Sequence, residues 1–216
     1  MRDNKAGPGA AVDTALAAVV LAAGESRRMG TPKQLLPFGD RTILERVVDT
    51  LLTAGAGEVI VVLGHMAERV RGVLGDRPVK TVVNEAYRDG MLSSVKCGVR
   101  ATRPEHDAVL VALGDQPHIA SDVVREIIRS YRMGTAGMVI PRYGPKKGHP
   151  IVIDLRKYRE AILNLPAHVG LNALMQEHAD DVRLLDVATE DIVRDIDVPD
   201  DYTRELARFT ERRSSV

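Results

Sequence analysis

The chain has one cysteine, Cys97, and no tryptophan among its 216 residues. A single thiol excludes an intramolecular disulfide and a thiolate-rich metal site, and Cys97 reads as a small buried residue on a helix. An excess of either charge is missing as well, because 30 Lys plus Arg balance 30 Asp plus Glu. That balance excludes a whole-surface basic field for nucleic acid or anionic lipid, and leaves room for a local basic pocket. Long hydrophobic runs are absent. The most apolar stretch, Ala15 to Ala23, is too short to span a bilayer and ends in a glycine-rich turn, so it reads as a buried strand. Residues 1–13 are polar and small and lack the apolar core of a secretory signal. The expectation is a domain over 14–210 between flexible tails at 1–13 and 211–216, in a cytoplasmic protein without nucleic-acid or membrane partners.

What is present is a globular balance, 44% apolar and 28% charged, in a chain long enough for a full core. Strand-like and helix-like segments alternate. Strands are expected at 17–21, 58–63, 79–83, 107–113, 138–141, 150–154, 182–187 and 192–197. Helices are expected at 42–54, 66–74, 92–102, from 121, at 156–163 and 171–178, and from 199. The helix at 42–54 has the clearest pattern: Thr42 and Glu45 match a capping box, Ile43, Leu44, Val47, Val48, Leu51 and Leu52 share a face, and Gly55 follows. Near-continuous apolar strands joined by helices predict one three-layer α/β/α domain, Rossmann-like, around a mostly parallel sheet. In such sheets ligands bind beyond the carboxyl ends of the strands, which selects the segments after Leu21, Leu63, Val83 and Leu113.

The first of these loops carries Gly24 and Gly30, where backbone amides can approach an anion closely, and three cations, Arg27, Arg28 and Lys33, within seven residues. Glycines with clustered cations fit a polyanion; a solvent-exposed turn with ordinary surface charges is the other reading. Gln34 follows Lys33, so the loop is not a P-loop, and the glycine spacing is not that of a dinucleotide fingerprint.

The string from Leu21 to Lys33 resembles the signature loop of the small nucleotidyltransferases, a glycosyltransferase-A-like group that includes the molybdenum cofactor cytidylyltransferases. Asn84 to Ser94, Gly114 to Pro117, Gly148 to Pro150 and Asp195 to Tyr202 resemble blocks of the cytidylyltransferases in the same order. The resemblance implies that Leu21, Ala22, Ala23, Gly24, Glu25, Ser26, Arg27, Arg28, Met29 and Gly30 wrap the triphosphate, with Arg28 and Lys33 catalytic and Lys33 at the α-phosphate. It implies Asp115 as a catalytic metal ligand and Asp197 as a second ligand, with magnesium as the cofactor. Asn84, Gly90, Ser93 and Ser94 would lie against base and ribose, and His149 near the acceptor.

The residues also admit plainer roles. Asp115 fits a turn cap before Pro117. Asp195 and Asp197, two apart on an expected strand, fit a helix-capping pair. Asn84 to Ser94 fits a turn followed by a helix cap, and 143–147 with His149 fits an ordinary solvated hairpin. By resemblance the reaction is transfer of CMP from CTP to a phosphorylated pterin, molybdopterin-type molybdenum cofactor, with a molybdoenzyme downstream. Ala23 is the residue that favours cytidylyl over guanylyl transfer. Ala167 to Asn172 departs from the family by lacking an acidic residue, which leaves the acceptor open. The alternatives are guanylyl transfer, transfer to a sugar phosphate or another phosphorylated acceptor, and a non-catalytic carrier of the cofactor for a molybdoenzyme.

Overall fold

The computed structural model describes residues 15–214; the tail expected at 1–13 lies outside them. Strand β1 (Leu16–Ala22) leads through the glycine-rich loop and a small ribbon, β2 (Pro37–Phe38) and β3 (Arg41–Thr42), into α1 (Ile43–Ala54). Then follow β4 (Glu58–Leu63), α2 (Ala67–Gly72), β5 (Val79–Val83), α3 (Met91–Ala101), β6 (Ala108–Leu113) and α4 (Ser121–Arg132). The remainder holds β7 (Met138–Tyr143), β8 (Lys146–Lys147), β9 (Ile151–Asp154), α5 (Leu155–Asn164), α6 (Asn172–Glu177), β10 (Val182–Asp186) and α7 (Pro199–Ser214).

The main sheet runs β10-β7-β9-β6-β1-β4-β5, with β8 paired to β7. β1, β4, β5 and β6 are mutually parallel neighbours, as are β7 and β10. β9 alone runs against both of its neighbours, β6 and β7. Each strand sends alternate side chains to opposite layers. Ala18, Val20, Val59 and Val61 pack under α1 and α4, while Ala17, Val19, Ile60 and Val62 pack under α3 and α5. Burial on both faces explains why these strands read as continuous apolar runs. Each fully buried Val or Ile contributes on the order of 1.5–3 kcal/mol.

Local signals hold where the sequence carries them. Thr42 accepts from the Glu45 amide at 3.3 Å, Glu45 accepts from the Thr42 amide at 2.7 Å, and α1 stops at Gly55 with φ 71°. A Cβ on Gly98 of α3 would collide with both methyls of Val19, so this glycine sets how closely α3 lies on β1.

Two expectations fail. No strand forms over 192–197: Glu190–Val193 is a 3-10 turn capped by the Thr189 hydroxyl, and irregular chain follows. Its polar groups bond to other loops instead of a neighbouring strand: Ile192 O accepts from Gln116 and from the His149 amide, Asp195 accepts from Gln116, and the Ile196 amide donates to Asp115 O. Nor is 211–214 a loose tail. Helix α7 continues to Ser214, and Arg212 bonds to Asp191 at 3.0 Å. This anchor is ionic, so apolar periodicity could not reveal it. Among the described residues, no helix is long and apolar enough to cross a membrane.

Candidate active site

β1 and β6 lie side by side with Leu21 opposite Leu113, so the loops that follow them leave the sheet together. The Gly114 amide donates to Leu21 O at 3.0 Å, and a Cβ there would stand 2.8 Å from that same oxygen. Glycine is thus the residue that lets the Asp115 loop approach the glycine-rich loop.

That loop is braced internally. Ser26 adopts φ 52°, unusual for a side-chain-bearing residue, and Gly30 adopts φ 68°. The Ser26 hydroxyl accepts from the Lys33 amide at 3.1 Å. Buried Gln34 accepts from Ser26 at 3.5 Å and donates to Ala22 O at 3.4 Å. Ser26 therefore shapes the loop, and Ala22 serves as its tether.

The three cations diverge. Arg27 bonds to Glu25 at 2.6 Å in solvent. Arg28 reaches Asp197 Oδ2 at 2.9 Å. Lys33 turns inward, its Nζ donating to Asp115 Oδ2 at 2.5 Å and to Asp197 Oδ1 at 2.9 Å. Asp115 and Asp197 come from distant loops stitched together by Ile196 N to Asp115 O at 3.3 Å and by Gln116. The Gln116 amide donates to Asp195 Oδ1 at 2.7 Å and to Ile192 O at 3.3 Å.

Burial pushes the Asp115 carboxyl above its ordinary range; Lys33 opposes this, and Asp195 and Asp197 add to it. Asp197 moves the other way, because its hydrogen bond from Lys33 outweighs partial burial. Burial draws Lys33 down, but Asp115 and Asp197 together outweigh that and raise it, so the ammonium keeps its charge.

The arrangement suits a small hard cation completed by ligand oxygens. Asp115 Oδ1 is buried without a hydrogen bond, and one oxygen from each of Asp115 and Asp197 already falls within reach of a single nitrogen. Among the described residues no group of three or more His, Cys, Asp or Glu is disposed to hold a metal unaided. Two carboxylates plus phosphate oxygens is the magnesium pattern.

These groups open on a cavity of about 380 Å³. Of the residues singled out from sequence, Leu21, Ala23, Gly24, Arg28, Lys33, Gly90, Ser94, Asp115, Asp195 and Asp197 line it. Gly24 faces open space: a Cβ on it would meet nothing within 4 Å. Asn84 and Ser93 do not line the cavity. Asn84 donates to Ser93 and Ser94 at 2.8 and 3.0 Å and accepts from the Ala86 amide, so its polar atoms hold the turn before α3. His149 lines a separate cavity of about 300 Å³ with Lys147, Asn172 and Gln176. Burial lowers its pKa against the opposing charge of Asp195, which keeps the ring neutral.

Sequence reading passed over Gln34, Tyr87, Met91, Leu113 and Gly114, all on the wall of the main cavity. Tyr87 and Met91 sit inside the Asn84–Ser94 block, and Met91 is 61% exposed; an exposed apolar residue beside glycine was the available signal. A larger cavity, about 650 Å³, lies between α1 and α7. Its arginines pair with neighbouring carboxylates, Arg46 with Asp40, Arg194 with Glu205, Arg208 with Glu190 and Arg212 with Asp191.

A parallel α/β sheet with a glycine-rich loop, an inward lysine and paired carboxylates beyond its strand ends defines a nucleotide-handling enzyme. Comparison with known proteins gives the family. A family model described as the MobA-like NTP transferase domain matches residues 18–182. The molybdenum cofactor cytidylyltransferase of Escherichia coli K12 is 29% identical over 92% of this chain and 99% of its own length. A protein named nicotine blue oxidoreductase, from Paenarthrobacter nicotinovorans, is 32% identical over 87% of this chain and 95% of its own. Among solved structures, Rv0371c of Mycobacterium tuberculosis H37Rv superposes with a TM-score of 0.81 at 33% identity, covering 90% of this chain and 98% of that one. A structure of Rv0371c in complex with manganese gives 0.77 at 31%, over 90% and 98%. The chain belongs to the MobA-like NTP transferase family and is a nucleotidyltransferase.

Proposed function

We propose that the protein transfers CMP from CTP to the terminal phosphate of a molybdopterin-type cofactor in the cytoplasm and delivers the product to a molybdoenzyme. The observation that carries this reading is the Lys33 ammonium held between Asp115 and Asp197 at the mouth of the glycine-rich loop. The cytidylyltransferase relative, matched over nearly its whole length, supports the substrate pair.

An acceptor phosphate oxygen attacks the α-phosphorus of CTP, the bond to the β-phosphate bridging oxygen breaks, and pyrophosphate departs with that oxygen. A phosphate monoester has a second pKa of about 6 and attacks as the dianion. No general base is required, which agrees with a half-buried His149 whose lowered pKa favours the neutral ring. The loop amides from Ala23 to Gly30 cradle the β- and γ-phosphates with Arg28 beside them. Lys33 neutralises charge growing at the α-phosphate. Asp115 and Asp197 would hold magnesium, which when bound shields the triphosphate oxygens from the incoming dianion. Gly90 and Ser94 face the nucleoside, and the cavity at Lys147 and His149 takes the acceptor.

The test is pyrophosphate release from each of the four triphosphates, with magnesium and a molybdopterin-containing fraction. Release with CTP that depends on the fraction is expected. Release with GTP alone would overturn the base assignment. Redox turnover without pyrophosphate would instead align the protein with the relative named as an oxidoreductase.

A further inference from the structure

The ammonium of Lys33 and a divalent ion would need the same oxygens. Lys33 holds Asp115 Oδ2 at 2.5 Å and Asp197 Oδ1 at 2.9 Å, and Arg28 holds Asp197 Oδ2 at 2.9 Å. Three of the four oxygens that could ligate a metal therefore already answer a protein cation, and the fourth, Asp115 Oδ1, is buried. The Lys33 and Asp115 side chains are only 13% and 16% exposed. Water screens little there, so an ammonium and a divalent ion on one carboxylate pair would repel strongly.

From this contact set, and resting on the assignment of Asp115 and Asp197 as metal ligands, we infer that Lys33 is an internal competitor of the metal. The triphosphate decides the competition. Its phosphate oxygens draw Lys33 and Arg28 off the carboxylates, and the freed oxygens then receive the ion. Metal and triphosphate bind as a mutually dependent pair, each raising the other's affinity by the same factor. The site thereby avoids filling with metal before there is a substrate to activate.

The experiment is titration with manganese alone, without nucleotide, read from the electron-paramagnetic signal of the free ion. Wild type is compared with Lys33→Met, with Lys33→Gln (which keeps a hydrogen-bonding end should the methionine variant fail to fold), and with Arg27→Met. Arg27 is a cation of the same loop whose side chain pairs with Glu25, away from Asp115 and Asp197. Both Lys33 variants should bind manganese about tenfold more tightly than wild type, with Arg27→Met within about twofold. Adding Asp115→Asn to Lys33→Gln should remove the gain. If the Lys33 variants bind no more tightly than Arg27→Met while Asp115→Asn still weakens binding, the competition is wrong and the metal ligands stand. If Asp115→Asn leaves binding unchanged, the ion is elsewhere and both assignments fall.

Discussion

Lys33 and Asp115 are 82 positions apart in the chain, yet Lys33 Nζ lies 2.5 Å from Asp115 Oδ2. The meeting follows from the pairing of β1 with β6, which aligns Leu21 with Leu113 and releases both loops at one edge. Asp197 arrives from a third direction, on a segment with no strand of its own, through Gln116 and Ile196.

Lys33→Ala removes the cation that bridges Asp115 and Asp197. Turnover should fall by about 10²–10³-fold in kcat, the scale for losing a placed electrostatic group at a transition state. Pyrophosphate release at saturating triphosphate measures it, and unchanged turnover would remove Lys33 from the mechanism.

Gln116→Leu keeps the side-chain size but removes the donor to Asp195 Oδ1 and one of two donors to Ile192 O, which retains the His149 amide at 3.0 Å. A loss of about 0.5–1.5 kcal/mol in stability is expected from the lost hydrogen bonding. Because Asp197 follows on the same segment, half-saturation by metal should shift upward as well. Denaturant unfolding and a metal titration of activity read the two effects separately.

Asn84→Ala should destabilise the turn before α3 by about 1–3 kcal/mol, since both Ser93 and Ser94 lose a partner. Preference among the four triphosphates should not move, because the Asn84 polar atoms bond within the protein. Altered base preference at unchanged stability would show instead that Asn84 reads the base.

Asp181 offers a pH signature away from the site. Burial opposes its ionisation, but the Tyr158 hydroxyl at 2.6 Å, Lys157 and the Gly137 amide prevail and hold its pKa at about 2, against 3.8 as the ordinary value. A lowered folded pKa stabilises above the unfolded value and is lost as pH falls through the folded one. Asp181→Asn should therefore unfold at a lower temperature than wild type at pH 6, and the gap should close between about pH 4 and pH 2. A gap of constant size across that range would contradict the ionic role.

The layered α/β fold was legible in the sequence. Alternation is suppressed where both faces of a strand are buried, and β4 and β6 show that as unbroken apolar runs. The ends of α1 were legible too, because Thr42, Glu45 and Gly55 act within one turn of themselves. The glycine-rich loop could be read for the same reason: its glycines and cations are neighbours in the chain. Other features came only with long-range packing. Which of Arg27, Arg28 and Lys33 turns inward depends on carboxylates delivered by β6 and by the segment before α7. Whether Asn84 faces a ligand or its own helix depends on how α3 seats on β1, fixed by Gly98 against Val19. The path of 192–197 depends on partners far away in sequence, Gln116 and Asp115, which no local pattern encodes. Local hydrogen bonds and periodic burial are written in neighbouring residues, whereas the placement of a charge depends on the charges the fold brings beside it.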